Sequence, residues 1–229
     1  MRNVVITGAD STLGLATTRL FLSHGYHVYG CYAHEGARAA TLRSVSGVTP
    51  LCVDVTSEDG LEALSAVGSV DVLVNNSGVF ESYTEKEIPL SAWDKVFDVN
   101  IRGLHRVVQR LLPVFAPSGA IVNIASINAL HPGFGKTVSY DASKGAVVAY
   151  TQSLAAEIAP IRVNAVAPGL LDAPYLHAEG NTVREQFESR ALLGRMVKPE
   201  EVAQTVLFEA ENTAMTGQVI VVDCGYLMG

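Results

Sequence analysis

At 229 residues the chain has room for one substantial hydrophobic core and is short for two. Its 48% hydrophobic content, 20 glycines and 17% charged residues fit a buried α/β domain with tight turns and exclude a disordered or fibrous chain. A formal charge of −7 without any Lys/Arg run argues against a nucleic-acid partner. No apolar stretch approaches the roughly 20 residues that cross a bilayer, so no membrane partner and a cytoplasmic location are expected.

Met1-Arg2-Asn3 leads straight into the β-branched run Val4-Val5-Ile6, without the basic and apolar regions of a signal peptide. A glycine turn follows, then helical periodicity from Leu13 to His24, stopped by Gly25. Val28–Cys31, Leu51–Val53, Val70–Val74, Ala120–Ile124, Arg162–Ala167 and Gln218–Val222 read as further short strands. Helical periodicity fills the gaps, most clearly over Trp93–Leu112 and Tyr140–Ile158. Short apolar strands separated by helices predict a parallel sheet covered on both faces. The fold class expected is α/β: a three-layer Rossmann fold with a doubly wound parallel sheet of about seven strands. One dinucleotide-binding and catalytic domain spans 1–229 on this reading. Between Gly169 and Gly194 the rhythm breaks into two short helical pieces around Pro174, Tyr175, His177 and Gly180, which predicts a substrate lid at about 170–194.

Cys31, Cys52 and Cys224 have neither disulfide nor metal-ligand spacing, and the first two sit in apolar runs as small buried hydrophobes. His24 and His27 straddle Gly25 and share no helical face, so no metal site is expected. Two motifs carry chemistry. In Thr7-Gly8-Ala9-Asp10-Ser11-Thr12-Leu13-Gly14, glycines open a turn between a strand and a helix N-terminus, whose N–H groups suit a pyrophosphate or serve only as a tight turn. In Tyr140-Asp-Ala-Ser-Lys144, residues four apart on a helix share a face, so an ammonium can stabilise a phenolate whose reference pKa is about 10. Ser126, past the end of a strand, brings a hydroxyl within reach of the same carbonyl oxygen.

Together with Asn75-Asn76-Ser77-Gly78, Asn100, Pro168-Gly169 and the closing Thr216-Gly217-Gln218-Val219, these motifs stand in an order that resembles the short-chain dehydrogenase/reductase family over essentially the whole chain. The resemblance implies an NAD(P)-dependent oxidoreductase interconverting a carbonyl and a secondary alcohol. Tyr140 would be its general acid/base, Lys144 would tune Tyr140 and bind the nicotinamide ribose, Ser126 would hydrogen-bond the substrate oxygen, and Asn100 would hold a water linked to Lys144. Gly8, Asp10, Ser11, Thr12, Leu13 and Gly14 would line the cofactor phosphates and Tyr32 the adenosine ribose. Asp54 and Val55 would meet the adenine, and Asn76, Ser77 and Gly78 the middle of the cofactor. Pro168, Gly169 and Leu171 would face the nicotinamide carboxamide.

Several positions depart from the family pattern. Thr12 replaces the middle glycine and adds bulk beside the phosphates, Asp10 replaces a small polar residue, and Ala173 replaces a threonine. The stretch from Asp54 to Asn75 is about two helical turns short, and the last helix is trimmed. Thr12 and Asp10 keep open a dinucleotide-sensing regulatory or binding protein on the same fold. A cofactor-independent lyase or dehalogenase is the third class, whose relatives carry arginine where Lys144 stands. The substrate expected is small or medium and mostly neutral, with Phe80, Asn128, Phe134 and Tyr175 at the pocket. The apolar excess of the helices at Trp93–Leu112 and Tyr140–Ile158 points to a homotetramer, with a dimer as the alternative. Tyr32-Ala33-His34 resembles the NADP-type Tyr-Ala-Arg, and Arg38 could assist, but Asp10 would repel a 2′-phosphate. The balance leans to NAD(H) over NADP(H), with dual use open.

Overall fold

In a computed structural model of the chain, residues 1–133, 135–177 and 181–229 are described, the side chain of Tyr175 excepted. Seven strands form one parallel sheet: β1 (Asn3–Ile6), β2 (His27–Tyr32), β3 (Val48–Cys52), β4 (Val70–Asn75), β5 (Phe115–Ile124), β6 (Arg162–Pro168) and β7 (Val219–Val222). Their spatial order is β3-β2-β1-β4-β5-β6-β7, the doubly wound Rossmann arrangement. The winding reverses between β1 and β4, and in open α/β sheets a ligand crevice lies outside the carboxyl ends at that point.

The strands are apolar on both faces because helices cover both. Val4, Ile6, Val28, Val72, Val74, Val122 and Val166 pack in one cluster, while Val5, Cys31, Leu73, Ile121, Val163 and Ala165 belong to the other. This alternation is the period-2 geometry of a strand read from either side. Helices α1 (Thr12–Ser23), α2 (Ala37–Arg43), α6 (Thr182–Arg190) and α7 (Pro199–Glu211) supply the first cluster with Phe21, Leu42, Phe187, Val202 and Val206. On the other face α4 (Leu104–Leu111) and α5 (Val138–Glu157) bury Val107, Leu111, Val147 and Ala155. Among the described residues no helix is long and apolar enough to cross a membrane.

The helix expected over Trp93–Leu112 is three pieces: α3 (Leu90–Phe97), a π-helical turn over Asp98–Gly103, and α4. Gly103 explains the interruption, since a Cβ there would lie 2.6 Å from the Val55 side chain pressing in after β3. A π-turn widens the helix locally and is common at functional sites; this one carries Asn100. β3 starts three residues before the expected Leu51 and includes Pro50, which the sheet tolerates because β3 is its outer strand. β5 starts at Phe115 rather than Ala120, through an irregular register opposite Val70 and Val72. The shortened stretch after β3 holds a 3-10 helix, Asp59–Ala66. Cys31 is buried as expected, but Cys52 is exposed because it ends the outer strand.

Candidate active site

The site starts where β1 ends. Gly8 takes φ +58°, and a Cβ there would crowd Asn76 and Ser77 at 3.2 Å. Gly14 has no alternative residue, because a Cβ would lie 2.2 Å from the Gly8 carbonyl oxygen. This close approach brings the start of α1 under the turn. Ser11 caps α1, its Oγ accepting from Gly14 N at 3.0 Å, and Leu13 is buried behind it. The turns after β1 and β4 are laced together: Thr7 Oγ1 accepts from the N–H groups of Asn76 and Ser77, both at 3.0 Å, and Asn76 Nδ2 donates to Gly8 O at 2.8 Å.

A groove of about 1000 Å³ runs from Gly8, Asp10 and Ser11 past the ends of β2 and β3 to Asn76, Ser77, Gly78 and Val79, with Asp54 and Val55 in its wall. It therefore brings together eight of the predicted cofactor positions. Thr12 departs from expectation: it is exposed and lines a neighbouring groove between α1, α2 and α7. Its added bulk is turned aside from the groove where it was expected to intrude. Tyr32 departs too, since it is buried and its hydroxyl reaches the rim through Glu35, to which it donates at 2.9 Å, and through Arg43, from whose Nη2 it accepts. Arg43 ion-pairs with Glu35 and lies over the Tyr32 ring. Hydrogen bonds from Arg43 first, and Tyr32 second, hold the Glu35 carboxyl below its usual range. Arg38 Nε lies 3.9 Å from the Asp10 carboxylate.

Beyond Gly78 lie the residues with chemistry. Ser126 follows β5 and starts a 3-10 turn, its Oγ accepting from Asn128 N at 3.1 Å. Tyr140 and Lys144 lie on α5. Lys144 is buried, donates from Nζ to Ile124 O at 2.8 Å, and sits 5.6 Å from the Tyr140 ring centroid. Burial pushes its pKa down to about 8. A Cβ on Gly78 would lie 3.5 Å from Nζ and 3.4 Å from Asn100 Oδ1, so these groups meet at one point. The Asn100 side chain is committed elsewhere than expected: Oδ1 accepts from Val79 N at 2.8 Å, and Nδ2 donates to Val79 O at 3.1 Å and Ser143 Oγ at 2.9 Å. It fixes the loop after β4, which leaves any water-holding role to its main chain.

Of the predicted substrate positions, Phe80 is 54% exposed and stands edge-on to Tyr140, ring centroids 5.2 Å apart. Asn128 instead donates from Nδ2 to Asp141 at 2.7 Å, and Asp141 also receives Gly133 N and Thr137 Oγ1. Its amide nitrogen braces the loop, a constraint no spacing displays. Phe134 and the Tyr175 side chain lie outside the described residues. Pro168 ends β6, Gly169 N donates to Val222 O at 2.9 Å, and Leu171 forms a parallel bridge with Val197. Among the described residues no cluster of three His, Cys, Asp or Glu could hold a metal. Thr7, Arg43, Asp141 and Ser143 also brace the site, in roles that the sequence alone does not assign them. A hydroxyl between a strand and its glycine turn was a usable signal for Thr7, but Arg43 reaches Tyr32 only through the fold. The assembly offers a hydroxyl, a phenol and a buried ammonium beyond the Gly78 end of the groove, the components of a proton-transfer site.

A family model described as Enoyl-(Acyl carrier protein) reductase matches residues 8–227. A 3-oxoacyl-[acyl-carrier-protein] reductase of Thermotoga maritima is 36% identical, over 98% of this chain and 97% of its own length. A cis-4-hydroxycyclohexanecarboxylate dehydrogenase of Sinomonas cyclohexanicum is 38% identical, over 98% and 96% respectively. Among solved structures, a short-chain dehydrogenase/reductase from Serratia marcescens superimposes with a TM-score of 0.90 at 29% identity, covering 98% of this chain and 97% of that one.

Proposed function

The chain belongs to the short-chain dehydrogenase/reductase family, and from that premise we propose that it interconverts a carbonyl and a secondary alcohol with Tyr140 as general acid/base. NAD(P)-dependent chemistry at CH–OH groups is the activity it shares with its relatives. The observation that carries the assignment of roles is the buried Lys144 ammonium, 5.6 Å from the Tyr140 ring. Tyr140 gives its proton to the carbonyl oxygen in reduction and takes it back in oxidation. Lys144 supplies the positive charge against which the phenolate forms. Ser126 donates to the same oxygen and stabilises the charge developing on it. A nicotinamide, when bound, supplies or accepts hydride at its C4. The glycine cradle fits such a cofactor: Gly8 and Gly14 let the turn after β1 close tightly over the start of α1, whose free N–H groups would suit its phosphates. Gly8, Asp10, Ser11, Asp54, Val55, Asn76, Ser77 and Gly78 would hold it.

The substrate is small or medium and mostly neutral, an assignment supported by the exposed Phe80 ring beside Tyr140. The relatives' names put 3-oxoacyl thioesters and cyclic secondary alcohols first in a screen. NAD(H) is favoured over NADP(H): Glu35 adds a second carboxylate to Asp10 on the rim, although Arg43 pairs with Glu35 and Arg38 offsets part of the charge at Asp10. The same reading includes one domain over 1–229, a cytoplasmic location and a homotetramer. The outer face of α5, with Ala142 and Ala149 exposed, supports self-association, as do the edge strand β7 and the half-exposed Phe208 on α7.

The test combines quenching of NADH and NADPH fluorescence with turnover of acetoacetyl-CoA and ethyl acetoacetate. Tyr140→Phe should still bind dinucleotide while turnover falls by about three orders of magnitude or more. Near-normal turnover in that variant would sink the mechanism. Dinucleotide binding without turnover of any screened carbonyl or alcohol would favour a sensor instead.

A further inference from the structure

The helix α6, which follows the nicotinamide-side segment Pro168–Leu171, is anchored by a cluster outside the reacting groups. Phe187 is the one buried side chain on α6 among the described residues. Its ring occupies the space a side chain on Gly169 would need, 2.8 Å from that Cβ position. The opposite partner of Phe187 is Tyr226, stacked on it at 4.8 Å with the planes 3° apart. Tyr226 is itself fixed by the turn that precedes it. Gly225 takes φ +80°, and Asp223 accepts from Gly225 N and Leu227 N, both at 2.8 Å. Arg190, at the end of α6, lies 4.5 Å over the Tyr226 ring and reaches from Nη2 to His131 Nε2 at 3.3 Å. His131 Nδ1 lies 2.8 Å from Pro132 O, which assigns its proton to Nδ1 and leaves Nε2 free to accept. From His131 the chain returns to the catalytic hydroxyl by consecutive turns: His131 N donates to Ile127 O at 2.9 Å, and Ala129 N to Ser126 O at 3.0 Å.

Resting on the proposed active site, we propose that Tyr226 and Arg190 are positioning residues: they clamp α6 to Gly169 on one side and to the Ser126 loop on the other, and so fix the Ser126 loop relative to the segment that follows β6. Neither residue is one of the reacting groups Ser126, Tyr140 and Lys144. Tyr226 contributes a flat apolar face that keeps Phe187 under Gly169, while Arg190 contributes a planar cation that stacks and donates at once. Among the described residues, losing the Tyr226 ring would remove the partner that Phe187 and Arg190 share and leave the Arg190–His131 bond to join α6 to the loop without that support. The dinucleotide's phosphates and adenosine meet other elements, so coenzyme affinity should survive while the carbonyl substrate loses its fit.

The experiment compares wild type with Tyr226→Leu, Tyr226→Phe and Arg190→Met in the full chain. Amide exchange is followed at 127–133 and 182–190, dinucleotide binding by fluorescence, and kinetics with acetoacetyl-CoA and ethyl acetoacetate. Tyr226→Leu should speed exchange in both segments by about tenfold and raise KM by about tenfold, with kcat and dinucleotide Kd within about threefold of wild type. Tyr226→Phe, which keeps the ring between Phe187 and Arg190, should stay closer to wild type in exchange and KM than Tyr226→Leu does. Arg190→Met should loosen 127–133 while 182–190 stays protected, and it carries the test if Tyr226→Leu does not fold. Loosening of 182–190 alone in Tyr226→Leu, an unchanged KM, or equal damage in Tyr226→Phe overturns the clamp. Should wild type bind dinucleotide but reduce neither probe, the catalytic reading fails while the exchange result still decides the clamp.

Discussion

Glu209 offers the sharpest test of the energetics. It lies on α7 three residues after Val206 and seven after Val202, so it shares their inward face and is fully buried. Neither carboxylate oxygen has a hydrogen-bond partner among the described residues. The cation at this helix end, Arg162, is spent on main-chain carbonyls, those of Glu209 and Asn212 at 2.8 Å and that of Ala210 at 2.6 Å. Burial accordingly pushes the Glu209 pKa from 4.5 up to about 8. Between those two values the folded chain binds a proton that the unfolded chain has lost, so stability falls as pH rises through that window. Each pH unit costs about 1.4 kcal/mol, which comes to about 3 kcal/mol at pH 7 and about 5 kcal/mol by pH 8. Glu209→Gln keeps the volume and abolishes the titration. Its melting temperature should match wild type at pH 5 within a few degrees and exceed it by about 6–12 °C at pH 7. Calorimetry from pH 5 to 8 on both proteins reads this directly. If the two melting curves stay parallel across that range, Glu209 is not a buried neutral acid and the reasoning fails.

Lys144 should show the opposite sign. Its pKa falls from 10.5 to about 8, so the unfolded chain binds more protons between those values and stability recovers with rising pH there. Lys144→Met should therefore gain about 2 kcal/mol at pH 7, after the loss of the bond to Ile124 O, while turnover collapses; a destabilised variant would contradict this. For the coenzyme, kcat/KM with NADH should exceed that with NADPH, and both Asp10→Ser and Glu35→Gln should shift preference toward NADPH. A tenfold or greater advantage for NADPH in wild type would instead make Arg38, Arg43 and His34 a phosphate clamp. Light scattering at micromolar concentration should report a homotetramer, and a monomeric mass would overturn that expectation.

Legibility in the sequence tracked how local each determinant is. The inner strands could be read because helices bury them on both faces and leave them almost continuously apolar, whereas β3 and β7, at the sheet edges, are only partly buried. The boundaries that slipped, at β3 and β5, are where Pro50 and the Pro117–Gly119 stretch put turn-forming residues inside strands. Tyr140 and Lys144 were legible as a pair because the helix itself creates their shared face. Asn100 was found, but its side-chain partners were not, since Val79 and Ser143 reach it only through a π-turn that Gly103 permits next to Val55. The direction of Thr12 was equally hidden, because its motif gives its position in the chain and not which of two adjoining grooves it faces. Glu209 is the limiting case: in sequence it is one acid among several on an amphipathic helix. Only the packing of α7 on α1 and the sheet, with Arg162 occupied elsewhere, makes it a buried carboxyl without a hydrogen-bond partner among the described residues. Residues whose role depends on their own element could be anticipated, whereas those whose role depends on what another element has already used could not.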